Sequence, residues 1–488
     1  MSLFSFLKKK PTLKSPLRFH NTLSGEKEVF QPISKDVVRM YNCGPTVYDF
    51  QHIGNLRPYV FADVIRRSLA LWGYKVKQVI NITDVGHLVS DADEGEDKME
   101  KGAKARGQSI EELVKEITDA YFADLDSLLI VRKGITFSRA TDYIGEQIAL
   151  VQALEQKGYT YQLEDGVYFD TSRFKEYGKL GKLNLTGQEE GARIGVVEGK
   201  RNGSDFALWK FSPKSAIEER LQEWPSPWGV GFPGWHLECT AMIFKLLGRQ
   251  IDIHTGGIDH IPVHHNNEIA QAEGATGKQY VRFWMHNEFI TIEGKKVSKS
   301  LGNTIYLRNI IERGFNPLSY RYLLLTAHYR SPINFTWTSL EASQTALTRL
   351  HKIFFEELPK SGEPSQMFVD AFTEMIGNDL DTPKAIALIW EMLKDSGFTP
   401  AQKHGNLLYA DKLLGLGLGD GVNRMRNMKL LSVTPVSDLP ADIKEKVDAR
   451  EVARTEKNYA ESDRLRDELK EAGFEVEDKE NGPQVRKI

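Results

Sequence analysis

Three groups of residues in this sequence have the types and spacing of reactive chemistry. The first is His52-Ile53-Gly54-Asn55, just after the run Tyr41-Asn-Cys-Gly-Pro-Thr-Val-Tyr48. A helix N-terminus presents free N–H groups and positive dipole, which suits phosphate, and an imidazole there can donate as charge develops. Gly54 removes a side chain where an adenine or ribose could lie against the backbone. The second group is Lys296-Val297-Ser298-Lys299-Ser300, between Gly294 and Leu301-Gly302-Asn303. Two lysines and two hydroxyls in a glycine-bounded loop can clamp a triphosphate and close over it during reaction. Taken singly, the first group is as readily a helix cap and the second a solvated basic loop. Occurring in this order, one in each half of an α/β pattern, they make most sense together.

The third group is built on cysteine. The chain has only two, and both fall inside conspicuous runs, Cys43-Gly-Pro-Thr46 and Gly234-Trp-His-Leu-Glu-Cys-Thr-Ala-Met242. A buried inert thiol is the ordinary reading of a lone cysteine. Further on, His264 and Glu268 are spaced i,i+4 and share a face if helical. His265, at i,i+3 from Glu268, shares it as well, and spacing alone leaves both histidines open. Thiol, imidazole and carboxylate together suit zinc.

The elements that must position these groups read as a parallel α/β sheet. Residues 36–42 read as a buried strand ending in the Gly44-Pro45 turn. Asn55 onward, with Phe61, Val64, Ile65 and Leu69 at helical spacing, predicts an amphipathic helix. Residues 75–82 predict a second strand, and strand–helix–strand implies parallel pairing. Residues 251–257 read as a further strand ending in a glycine loop. The mixed region from about 86 to 235, with the acidic stretch Asp91–Asp97, reads as an insertion between the halves of a doubly wound fold. After Asn334 helical patterns take over at 340–358, 369–376 and 383–393, with Asp381-Thr382-Pro383 as a capped start. Residues 432–440 read as a linker, and a charged unit with a helix around 458–472 follows.

Bulk properties exclude several classes. A chain of 488 residues, 41% hydrophobic and 27% charged, is ordinary for a globular protein of two to four domains. No apolar run is long enough to span a bilayer. Residues 1–16 have their apolar residues before their charges, unlike a secretory signal, and read as a basic extension. Two cysteines argue against a disulfide-stapled secreted protein, so the cytoplasm is the expected compartment. A net charge of −3 neither announces nor excludes a nucleic-acid partner.

The stretch from Cys43 to Asn55 resembles the N-terminal motif of cysteinyl-tRNA synthetases, members of class I. Gly234–Met242, Gly256-Gly-Ile-Asp259 with His264-His-Asn-Asn-Glu-Ile-Ala-Gln271, and Trp284-Met-His286 leading into the lysine loop resemble further blocks of that family. Asp205–Lys210 and Trp224–Gly229 match too, so the resemblance spans about 17–480. It implies a zinc ion on Cys43, Cys239, His264 and Glu268, selecting His264 over His265, with an open position for the substrate thiolate. It implies ATP, with magnesium, at His52, Gly54, Asn55 and Lys299, supported by Lys296, with Asp259 at the ribose. It also implies that Thr46 and Thr83 line the cleft, that Trp235 walls the amino-acid pocket and that Cys43 borders it.

The implied activity is ATP-dependent activation of L-cysteine and its transfer to the terminal ribose of tRNA(Cys), by a monomer without membrane contact. The implied organisation is an extension (1–16), a Rossmann-type catalytic domain (17–335) with the connective insertion, a helical bundle (336–436) and a small anticodon-binding unit (437–488). In that unit Arg450, Arg454, Lys457, Arg464 and Arg466 are candidates for phosphate contact. The sequence departs from the family pattern in having Asn55 where histidine is common and in ending without a tryptophan. Relatives that ligate cysteine to a small amine-bearing sugar lack the C-terminal extension, and an idle RNA-binding paralogue would not need the zinc set and lysine loop.

Overall fold

The apolar strands foreseen on either side of the glycine-proline turn lie at the centre of a five-stranded sheet. The computed structural model describes residues 15–35, 37–86, 97–182, 199–212, 221–297, 302–419, 433–434, 436, 439–479 and 482–487. In chain order the sheet strands are β1 (Val37–Asn42), β2 (Lys75–Ile82), β3 (Ile135–Arg139), β4 (Ile251–Gly257) and β5 (Val281–Asn287). They stand side by side as β5-β4-β1-β2-β3, every pair parallel. The order reverses between β1 and β4, and in such sheets ligands bind in the crevice beyond the strand ends at that switch point.

Helix α1 (Ile53–Leu71) connects β1 to β2. Its Phe61, Val64, Ile65 and Leu69 pack with Val38, Met40, Ile253 and Phe283 in one core cluster. These are the positions whose spacing predicts the helix, and they turn one stripe onto the sheet. Helices α2 (Trp235–Leu246) and α3 (His264–Thr276) flank β4 in sequence and pack with the ends of β4 and β5.

Two features differ from the sequence reading. Ile135–Arg139 falls inside the expected insertion yet is the edge strand of the parallel sheet. The part that stands off that sheet is a four-stranded antiparallel one, Thr160–Leu163, Gly166–Phe169, Phe206–Phe211 and Gly231–Pro233. Of the acidic stretch, residues 91–96 lie outside the described residues. Asp97 caps the helix Lys98–Arg106, accepting from the N–H groups of Met99 and Glu100. Most of the N-terminal extension, residues 1–14, also lies outside them.

Beyond Phe335 come the helices Trp337–Lys352, Gln366–Gly377, Thr382–Lys394 and Pro400–Leu414. The last has no single apolar stripe. His404, Asn406 and Asp411 are buried along with Leu407, Tyr409 and Leu413, so periodicity does not announce it. Arg321, fully buried, joins this bundle to the sheet. It donates to Asp63 on α1 at 2.6 Å, to the Leu414 carbonyl at 2.7 Å and to the Leu128 carbonyl at 2.9 Å. Gly415 has φ +63°, and a Cβ there would meet the Arg321 guanidinium at 2.8 Å, so glycine is required twice over.

The C-terminal segment has its own small core of Ile443, Val447, Leu469, Phe474, Val476 and Val485. Helices Ala441–Thr455 and Tyr459–Glu471 accompany a three-stranded antiparallel sheet. No helix among the described residues is long and apolar enough to cross a membrane.

Candidate functional site

The carboxyl ends of β1, β2 and β4 open into a cleft of about 760 Å³. Cys43, Thr46, His52, Gly54 and Asn55 line it from behind β1, and Thr83 lines it from behind β2. Trp235, Cys239, Asp259 and His264 face it from the second half, and Lys296 closes one side. Every described residue expected at the site therefore borders this cleft except Glu268, which is fully buried beneath it. Lys299 lies outside the described residues, as do Ser298 and Ser300.

The nucleotide side is organised by a cap. His52 precedes α1 with extended backbone, its Nδ1 accepting from the Asn55 N–H at 3.3 Å while the Asn55 side chain accepts from the His52 N–H at 3.3 Å. This reciprocal cap satisfies orphan N–H groups of the first turn. With Nδ1 accepting, a neutral ring carries its proton on Nε2, which is then a donor. A Cβ on Gly54 would lie 2.9 Å from His52 Cε1. The glycine thus makes room for the imidazole as well as for a ligand. The segment that follows the second motif is tied to the first through the backbone: Ile53 N–H donates to the Ile305 carbonyl at 2.8 Å, and His52 bridges to Tyr306. Lys296, exposed, ends a two-residue strand and has its carbonyl held by the Asn303 amide at 3.0 Å.

The thiol side is a cluster drawn from both halves. One ligand atom each from Cys43, Cys239, His264 and Glu268 lie within 4.8 Å of one another. A second set, Cys43, His254, His265 and Glu268, meets the same limit. The surroundings distinguish them. His254 and His265 are fully buried: His254 Nε2 lies 3.0 Å from Glu268 Oε2, and His265 has Nδ1 2.8 Å from His286 Nε2 and Nε2 3.3 Å from Cys43 Sγ. Neither borders the cleft, whereas Cys43, Cys239 and His264 all do. An ion with a position open to substrate is served by the set with three ligands on the cleft wall.

The donors fit a metal in detail. His264 Nδ1 lies 2.9 Å from His236 Nδ1, which orients the ring so that Nε2 points to the cluster. Glu268 Oε1 lies 3.1 Å from His264 Nε2 yet makes no well-aligned hydrogen bond. Close approach without donor alignment, in a fully buried carboxylate, is what two ligands converging on one ion give. Burial pushes the Cys43 thiol well up. A hydrogen bond with Cys43 lowers Cys239 to about 7 against its burial, with His264 assisting. His264 is raised to about 10: burial opposes this, but Cys239 and Glu268 outweigh it.

His265 is an open alternative in the sequence and His286 lies in one of the family blocks, but the buried His254 beneath the ligands, and Asn81 and Glu238 beside Thr83, carry no assignment there. The doubled His264-His265 and the histidine of Trp284-Met-His286 were the available signals for the buried histidines.

Residues 29–345 match the family model described as tRNA synthetases class I (C) catalytic domain, and residues 436–486 match Cysteinyl-tRNA ligase anticodon binding domain. The chain is 46% identical over 471 residues to Cysteine–tRNA ligase 1 of Burkholderia lata, covering 96% of this chain and 97% of that one. It is 42% identical over 488 residues to the Cysteine–tRNA ligase of Treponema denticola, covering 95% and 98%. In fold it is similar to Mycobacterium tuberculosis methionyl-tRNA synthetase bound by methionyl-adenylate, with TM-score 0.54 at 14% identity over 83% of this chain and 99% of that one. It is also similar to the LeuRS of Agrobacterium radiobacter K84 in its ternary complex with tRNA and LeuAMS, with TM-score 0.58 at 12% identity over 82% and 86%. With a catalytic-domain model matched over most of its length and relatives above 40% identity from end to end, the chain belongs to the cysteinyl-tRNA synthetase family of class I aminoacyl-tRNA synthetases.

Proposed function

We propose that this chain is a cysteine–tRNA ligase whose cleft activates L-cysteine with ATP and transfers it to the terminal ribose of tRNA(Cys). The observation that carries this reading is the meeting of Cys43, Cys239, His264 and Glu268 within 4.8 Å at the edge of the cleft that the ATP motifs line.

The cysteine carboxylate attacks the α-phosphate of ATP, giving cysteinyl-adenylate and pyrophosphate, and the tRNA ribose hydroxyl then attacks the adenylate carbonyl, forming the cysteinyl ester and releasing AMP. His52, Gly54 and Asn55 receive the phosphates and nucleoside at the start of α1. Lys299, with Lys296 in support, meets the charge that grows on the leaving phosphates, and Asp259 meets the ribose. Such a reaction asks mainly for positioning and charge stabilisation. Magnesium accompanies the ATP. Thr46, Thr83 and Trp235 enclose the amino acid.

Cys43, Cys239, His264 and Glu268 would hold a zinc ion, which when bound supplies a soft Lewis acid able to take the substrate thiol as thiolate. Serine's hydroxyl is a far weaker ligand, and losing a strong ligand discriminates more than losing a methylene does. The domain division 17–335, 336–436 and 437–488 assigns chemistry to the first part and tRNA selection to the last, with the enzyme acting as a cytoplasmic monomer. A ligase that joins cysteine to a small amine is disfavoured by the anticodon-domain match over 436–486. Requirement for tRNA as final acceptor, measured as charging of tRNA(Cys), tests the choice.

A further inference from the structure

Beside the ligand cluster runs a buried hydrogen-bond chain with a fixed direction. It starts at the Gly44 backbone N–H, next to Cys43, which donates to Asn81 Oδ1 at 2.6 Å. A backbone N–H can only donate, so the Asn81 amide is set with its oxygen toward Gly44. Its Nδ2 donates to Thr83 Oγ1 at 2.9 Å. The Thr83 oxygen accepts that hydrogen bond and donates its own O–H to Glu238 Oε2 at 2.8 Å. Glu238 is fully buried and directly precedes Cys239. The chain thus runs from the loop that carries one cysteine ligand to the helix that carries the other.

The backbone holds Thr83 in place. Its N–H donates to the Pro45 carbonyl at 3.0 Å, and its carbonyl accepts from Val47 at 3.1 Å. Gly44 allows the close approach, because a Cβ there would lie 1.7 Å from the Asn81 carbonyl oxygen. Thr83 borders the cleft although only 2% of it is exposed. A hydroxyl oxygen has one proton and two lone pairs. With the proton directed to Glu238 and one lone pair taken by Asn81, what Thr83 offers a ligand is a lone pair.

We infer that Glu238 is a positioning residue that, with Asn81, makes Thr83 a pure hydrogen-bond acceptor for the α-ammonium of the amino-acid substrate. This rests on the amino-acid site proposed above. Without Glu238, the Thr83 proton is free to turn into the cleft, where it opposes an ammonium and tolerates a ligand without one. The consequence is selection for the amino group separate from selection for the thiol.

Two thiol probes separate these selections. Cysteamine keeps thiol and ammonium, and 3-mercaptopropionate keeps thiol and carboxylate. Each is measured as an inhibitor of cysteine-dependent pyrophosphate exchange by the full-length enzyme, with zinc content determined in parallel. For Thr83→Val and for Glu238→Ala we expect the preference for cysteamine over 3-mercaptopropionate to shrink by roughly tenfold, with zinc retained. KM for cysteine should rise more than kcat falls. Thr83→Ser, which restores the hydroxyl, should recover most of the preference. Thr83→Val keeps the shape of the site and tests the acceptor itself, and Glu238→Gln, which keeps the shape of the positioning side chain, takes the place of Glu238→Ala if that variant does not fold. A preference unchanged in Thr83→Val or in a folded Glu238 variant overturns the inference, as does a parallel loss of both probes together with zinc. Failure of the unsubstituted enzyme to exchange pyrophosphate with cysteine would instead remove the functional reading beneath it.

Discussion

Cys43 and Cys239, the only two cysteines of the chain, stand with their sulfurs within 4.8 Å of each other. One sits in the loop after β1 and the other on α2 in the second half of the sheet. Their meeting is a product of the parallel order, which sets β1 against β4. Both are free thiols.

Cys239→Ser should therefore lose zinc and cysteine affinity while keeping the fold. The core of the sheet does not depend on a metal, since its large clusters are apolar and continuous. Zinc content, cysteine binding and the thermal midpoint check this. Full zinc occupancy with unchanged cysteine affinity would count against the ligand set.

Lys299→Ala should slow adenylate formation far more than it weakens cysteine binding. A lysine that acts on charge developing in the transition state lowers kcat, here by about 2–4 kcal/mol in barrier. Pre-steady-state formation of the adenylate is the measurement, and a normal activation rate would contradict the role.

Asp63→Ala should destabilise the catalytic core without altering the site directly. Arg321 has no exposed surface and Asp63 is its carboxylate partner at 2.6 Å. Removing one member of a buried pair leaves an uncompensated charge, worth about 3–5 kcal/mol. Burial alone would raise the Asp63 carboxyl, but Arg67 and Arg321 hold it below the usual aspartate range. Its contribution is thus present above that range and lost as pH falls through the lowered value. Denaturant unfolding of the variant should show a lower midpoint and a shallower acid limb. An unchanged midpoint would contradict this.

Some of this was legible in the sequence, and the physical reason for the rest is specific. β1, α1 and β2 announce themselves because their burial follows the periods of strand and helix. β3 does not: it is a five-residue edge strand of mixed polarity, placed by its register on β2. The choice between His264 and His265 is invisible in spacing, because both reach Glu268 and only tertiary surroundings separate them. Arg450 looks like one charge among many on a solvated helix. The structure leaves it 2% exposed, with two hydrogen bonds to Asp478 at 2.8 and 3.0 Å. That partner lies 28 residues away in a hairpin, beyond any local pattern. Phosphate contact, expected of Arg450, conflicts with this burial, and the residue instead braces the C-terminal unit.

Truncation before Pro440 should leave cysteine activation nearly intact and sharply reduce charging of tRNA. The residues lining the cleft all precede residue 305, and the C-terminal segment has its own core. The loss should appear mainly as tRNA affinity and remove part of its salt dependence. A truncated enzyme that charges tRNA as well as the full chain would exclude this unit as the anticodon reader.

A site that activates cysteine through its ligand cluster should reject serine. Pyrophosphate exchange into ATP by the full chain, run with cysteine and with serine at equal concentration, measures it most directly. Rapid exchange with cysteine and none above background with serine is the predicted result. Exchange with serine at a comparable rate, or none with cysteine, would contradict it.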